Sequence, residues 1–136
     1  MRSMSILIAA AILASCSTAP QPGAYDARDQ ARLQQLLAGK TAGRAITCLP
    51  SYRSSDMIRI SDDVVAFQDG PGRVYVSNLR GSCSGLSDPS YALVTNTIGS
   101  GSLCSGDIAR VVDLTTHMTV GSCALGDFIP YTRTGA

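Results

Sequence analysis

Tryptophan is absent from this 136-residue chain, phenylalanine occurs twice, histidine once, and all ten acidic residues are aspartate. With so few large rings, the core must be built from Val, Ile and Leu, which makes it light for its size. The one histidine, His117, lies in Thr115-Thr116-His117-Met118-Thr119, which reads as a polar turn. No second ligand stands at metal-site spacing from it, so no metal is expected. The serines have no G-x-S-x-G setting, and Gly99-Ser100-Gly101-Ser102 lacks the lysine and the strand-to-helix context of a phosphate loop. No cofactor is expected either. An excess of one charge is also missing, since 11 Lys+Arg stand against 10 Asp+Glu. That balance argues against nucleic acid as a partner and against an electrostatic hold on anionic lipid. No apolar run reaches the roughly 20 residues of a membrane-spanning helix.

What is present begins near the amino terminus. Arg2 precedes Ile6-Leu7-Ile8-Ala9-Ala10-Ala11-Ile12, the charged and apolar parts of an export signal. The run ends in Leu13-Ala14-Ser15-Cys16, an order that resembles the lipobox of bacterial lipoproteins. The resemblance implies cleavage before Cys16, acylation of that cysteine, and a membrane partner reached through the lipid. Each buried CH₂ contributes about 0.8 kcal/mol, so several acyl chains on one residue anchor a protein firmly. Ser17 follows the cysteine, where enterobacterial sorting would require Asp for inner-membrane retention. The expected location is therefore the cell envelope, facing the periplasm, with the outer membrane favoured over the inner. Residues 1–15 read as the signal peptide, 16–25 as the lipidated cysteine and a flexible tether, and 26–136 as a single domain. The nine residues from Ser17 to Tyr25 span roughly 30 Å at most, at about 3.3–3.6 Å each.

With Cys16 set aside, Cys48, Cys83, Cys104 and Cys123 form an even set, as in the disulfide frameworks of exported domains. Gaps of tens of residues do not suit a four-thiolate zinc site. Of the three possible pairings, the order of candidate strands favours Cys83 with Cys104 and Cys48 with Cys123. The first pair flanks one strand candidate, and the second would tie the two ends of the β region together.

Asp26 to Gly39 reads as a helix, with Asp26 as its cap, Leu33, Leu36 and Leu37 on one face, and Gly39 closing it in the left-handed conformation. The leucine stripe predicts that it docks on the domain. Downstream the pattern turns to short β-branched runs separated by turn residues. These are Met57 to Ile60, Val64 to Phe67, Arg73 to Val76, Tyr91 to Thr95, Ile108 to Leu114, and Cys123 to Tyr131 broken at Gly126-Asp127. Val74 and Val76 alternate with Arg73 and Tyr75, which predicts a strand with one wet side. Pro130 predicts an edge position for the last strand. The fold class that follows is mainly β, a small antiparallel barrel or sandwich with one amino-terminal helix and two disulfides.

Two segments resemble each other, Leu103-Cys104-Ser105-Gly106-Asp107-Ile108 and Cys123-Ala124-Leu125-Gly126-Asp127-Phe128. The simpler account is a turn made by glycine, with the aspartate bonding nearby amides. The alternative is a pair of carboxylates, Asp107 and Asp127, flanking a hydrolytic cleft. No acid, base and nucleophile converge in the sequence, so no catalytic residue is assigned.

The run Leu37-Ala38-Gly39-Lys40-Thr41-Ala42-Gly43, then Cys48, Val74-Tyr75-Val76, Cys83, Leu103-Cys104-x-Gly106-Asp107-Ile108 and Gly121-x-Cys123-x-Leu125-Gly126-Asp127-Phe128-x-Pro130-Tyr131 resembles a family of small proteobacterial exported lipoproteins of unknown function. The resemblance covers most of the chain from the helix to Tyr131 and implies a shared four-cysteine framework without a known activity. The function expected from all of this is a lipid-anchored binding or structural module of the envelope, with an envelope protein as partner. An inhibitor of a wall-degrading enzyme is the alternative, by architecture alone.

Overall fold

The computed structural model describes residues 27–51, 56–97 and 101–135. The lipobox, Cys16, the tether and the capping Asp26 lie outside the described residues. Among the described residues helix α1 (Ala27–Leu37) comes first, followed by nine strands: β1 (Lys40–Ala42), β2 (Met57–Arg59), β3 (Val64–Asp69), β4 (Arg73–Asn78), β5 (Arg80–Ser82), β6 (Tyr91–Thr95), β7 (Ile108–Asp113), β8 (Thr119–Ala124) and β9 (Phe128–Arg133). They form two antiparallel sheets, ordered β1-β9-β4-β3-β2 and β5-β8-β7-β6. The fold is a sandwich and not a closed barrel. Among the described residues no helix is long and apolar enough to cross a membrane.

The main core lies between the sheets. Val65, Phe67, Tyr75 and Phe128 from the five-stranded sheet meet Leu93, Ala109, Val111 and Cys123 from the four-stranded one. Phe67 and Phe128, the only two phenylalanines of the chain, pack edge to face with ring centres 5.7 Å apart. A second core sits on the outer side of the five-stranded sheet. There Ile60, Val64, Ala66, Val74 and Val76 are covered by Leu33, Leu36 and Leu37 of α1. The leucine stripe thus docks as its spacing predicts, and Gly39 closes the helix at φ +71°.

Two coverings overturn the expectation of a wet side on β4. Val74 and Val76 lie under α1, while Tyr75 turns into the inter-sheet core and is only 4% exposed. Both faces of the strand are dry, and only its ends reach water. The edge expected for the last strand is likewise corrected, because β9 lies between β1 and β4. Pro130 is tolerated there because its carbonyl accepts the Gly43 amide at 2.7 Å, just past the end of β1. The pyrrolidine nitrogen faces the same way, so the bond it cannot donate falls beyond the short ladder.

The disulfide pairing also differs from the expectation. The bonds are Cys48–Cys104 and Cys83–Cys123. Residues 47–49 run beside 103–105, with Leu49 N–H donating to Leu103 (2.9 Å) and Ser105 N–H to Thr47 (2.7 Å), so Cys48 faces Cys104. Strand β5, only three residues long and without an apolar period, pairs with β8 in the register Gly81↔Cys123. Cys83, the next residue after β5, is thereby delivered to Cys123. The expectation went wrong because β5 carries no signal of its own.

The chain crosses between sheets twice, at Leu79 and at Leu125 to Asp127. At the second crossing a Cβ on Gly126 would collide with the Asn78 carbonyl oxygen, so the close approach requires glycine. Ser77, fully buried, donates from its hydroxyl to the Gly126 carbonyl at 3.0 Å and ties the crossing down.

Candidate functional site

The two Gly-Asp segments lie side by side. Gly106 N–H donates to the Leu125 carbonyl at 2.8 Å, and Leu125 N–H to the Asp107 carbonyl at 3.0 Å. The Asp107 carboxylate accepts the Cys104 amide at 2.8 Å, the turn-closing role of the simpler account. Asp127 departs from it: more than half exposed, its carboxylate faces the Arg80 guanidinium at 4.0 Å across open surface. One carboxylate is spent on a turn and the other sits beside a cation in water.

His117 occupies the β7–β8 turn at φ +59°. Its amide donates to the Asp113 carbonyl at 2.8 Å, while the Asp113 carboxylate accepts the Thr115 and Thr116 amides at 2.7 and 2.9 Å. Those bonds, from Thr116 first and then Thr115, hold the Asp113 carboxyl below its ordinary value. The arrangement is a turn clasp. Among the described residues, no three His, Cys, Asp or Glu side chains gather to hold a metal ion.

A second clasp closes one side of the sandwich. Asp62, in the β2–β3 turn, accepts the Gly85 amide (3.1 Å), the Ser87 amide (2.9 Å) and the Ser87 hydroxyl (2.7 Å). Leu86, between them, is fully buried in the inter-sheet core. Partial burial pushes the Asp62 pKa upward, but the bonds from Ser87, Gly85 and Leu86 outweigh it and hold the carboxyl below its ordinary value. A depressed folded-state pKa means that the stabilisation is present above the unfolded value of about 3.9 and is lost as pH falls through the folded one. Asp62→Ala should therefore destabilise the domain by about 1–2 kcal/mol at neutral pH, near the lower end for charged hydrogen bonds because the carboxylate is partly wet. The gap from wild type should close in acid. Denaturant unfolding at pH 7 and pH 3 checks this, and an equal gap at both values would refute it.

The feature that stands apart is an uncovered face. The outer side of the five-stranded sheet lies under α1, whereas no described element covers the outer side of the four-stranded sheet. Val94 of β6, Ile108 of β7 and Val120 of β8 lie on it, and Leu114 and Met118 extend the apolar surface into the β7–β8 turn. These five residues are 44–66% exposed, and they are all the large exposed hydrophobics among the described residues. Arg110 sits among them, paired in register with Val94 on one side and Ser122 on the other. Sequence reasoning missed this face. Strands β6 and β7 read as apolar on both sides, and only the position of α1 on the other sheet shows which apolar face stays bare.

Fold and surface together define a disulfide-braced β-sandwich with one sheet covered by a helix and one whose apolar outer face no described element covers. The chain matches no family model, no curated protein and no solved structure.

Proposed function

We propose that this protein is a lipid-anchored, periplasm-facing binding module of the bacterial envelope, which engages a protein partner through the outer face of its four-stranded sheet. The observation that carries the reading is the concentration of every large exposed hydrophobic of the described residues on that one sheet and its adjoining turn. Clustered apolar surface of this kind marks interaction sites, whereas scattered single residues do not. Arg110 at its centre fits a partner that presents apolar side chains around a carboxylate, a pairing common at interface anchors. Two disulfides suit an oxidising compartment, and the lipobox likeness of Leu13-Ala14-Ser15-Cys16 supports the anchor. The likeness to small proteobacterial exported lipoproteins points the same way.

Two expected results test the reading. Cys16→Ala should abolish the incorporation of labelled fatty acid into the protein in growing cells, and a wild-type chain that takes up no label would rule out the lipid anchor. In mild detergent extracts of envelopes, the wild-type chain should migrate in a complex larger than its monomer. Val94→Glu with Ile108→Glu should return it to the monomer position without changing its melting temperature, because both side chains already face water. A wild-type chain that migrates as a free monomer would overturn the proposal.

A further inference from the structure

We propose a second binding site, independent of the apolar sheet face: the outer edge of β2, unpaired among the described residues, which takes an extended polypeptide segment of another protein as an added strand. Strand β2 is the last strand of its sheet. Ile60 N–H donates to the Val64 carbonyl at 3.0 Å, in register with Ile58↔Ala66. Residues alternate along an antiparallel ladder, so Ile58 and Ile60 turn their backbone groups towards β3. Met57 and Arg59 turn theirs away. On that outward side, no backbone bond joins Met57 or Arg59 to another described residue.

An edge of this kind is usually blunted by a charged side chain lying across it. Arg59 does not serve that purpose. Its guanidinium is drawn off to the other sheet, where it donates to the carbonyl of Tyr91 and, at 3.4 Å, to that of Asp88. The main chain of β2 is left as the floor of a cleft of about 250 Å³, walled by Asp29 and Arg32 of α1 on one side and Ser87 on the other. The floor from Met57 to Ile60 is about 10–13 Å long at 3.4 Å per residue, which matches three or four residues of strand.

Backbone donors and acceptors on a free edge select for a polypeptide backbone, and side chains that alternate towards each wall give specificity. The α1 wall sets the polarity of the segment. Asp29 and Arg32, one helical turn apart, make no hydrogen bond or ion pair with other described residues, so the incoming strand offers them a base and an acid in that order. The Ser87 wall accepts a small polar side chain.

The test uses a phage-displayed library of random heptapeptides panned against the full chain, with the enriched peptides synthesised and titrated into isotope-labelled protein. The expected result is that they shift the amide resonances of Met57 and Arg59 and slow the hydrogen exchange of both at least tenfold, with Ile58 little changed. Arg32→Glu, on an exposed helix position that leaves the fold alone, should weaken binding at least tenfold. Met57→Pro, which removes one outward N–H at the first residue of the strand, should do the same. Failure to enrich any peptide overturns the proposal, as does binding that leaves Met57 and Arg59 exchange unchanged. Protection of both amides that grows with protein concentration in the absence of peptide would assign the edge to a second copy of this chain, and overturns it equally.

Discussion

Reduction of both disulfides should leave the domain unfolded or close to it at 37 °C. The Cys48–Cys104 and Cys83–Cys123 bonds span sequence separations of 56 and 40 residues. On the chain-entropy account each contributes about 4 kcal/mol, and the two together less than the sum because their loops interleave. Ordinary domains have only about 5–15 kcal/mol in total. At roughly 4–8 °C per kcal/mol for a domain near this size, loss of one bond lowers the melting temperature by at least about 15 °C. The two bonds should also differ in accessibility. Cys83 and Cys123 are 0% and 5% exposed inside the inter-sheet core, whereas Cys48 lies at the surface. A mild thiol reductant should therefore open Cys48–Cys104 first in the folded protein, and Cys83–Cys123 only on unfolding. A non-reduced peptide map taken along the reduction course reads both the pairing and the order. Equal melting temperatures with and without reductant would refute the energetic argument, and simultaneous opening would refute the shielding argument.

Phe128→Ala is expected to be the most damaging single core substitution. The side chain is fully buried, lies edge to face against Phe67, and starts the strand that follows the second crossing between sheets. Truncating a buried phenylalanine costs about 3–5 kcal/mol, and the lost ring pair accounts for about 0.5–1.5 kcal/mol beyond its area. Phe128→Leu should keep most of the volume and cost less than half as much. Denaturant midpoints for the two variants give the comparison. A loss under about 1 kcal/mol for alanine would show that the sheets close over the gap, and that the core depends less on its rings than the packing implies.

Much of the architecture was legible locally. The three leucines of α1, Gly39 after it, and the β-branched runs of β2, β3, β4, β6 and β7 declare themselves by period and by the turn residues between them, because helix and strand periodicity are properties of adjacent residues. The Gly106-Asp107 turn was readable for the same reason, since an aspartate bonding an amide three residues away needs no distant partner. Strands β1 and β5 were not legible. Each is three residues long with a glycine inside or just after it, and each exists only because a longer strand, β9 or β8, offers it a ladder. The disulfide pairing went astray through that omission, since it is β5 that carries Cys83 to Cys123. The placement of Pro130 depended likewise on β1 and Gly43, a partner nearly ninety residues earlier in the chain.

The sequence by itself determined a mainly β domain with a docked amino-terminal helix and four cysteines suited to two bonds. Tertiary structure alone decided which cysteines join, which side of each strand is dry, and where apolar surface is left over. Val74 and Val94 are chemically alike and both lie in short strands, yet the first is buried under α1 and the second faces water. The difference is one helix, long enough to cover a single sheet. Local pattern specifies that a strand has two faces, but what meets each face is set by chain segments far away in sequence, and the candidate binding surfaces are the places that none of the described segments covers.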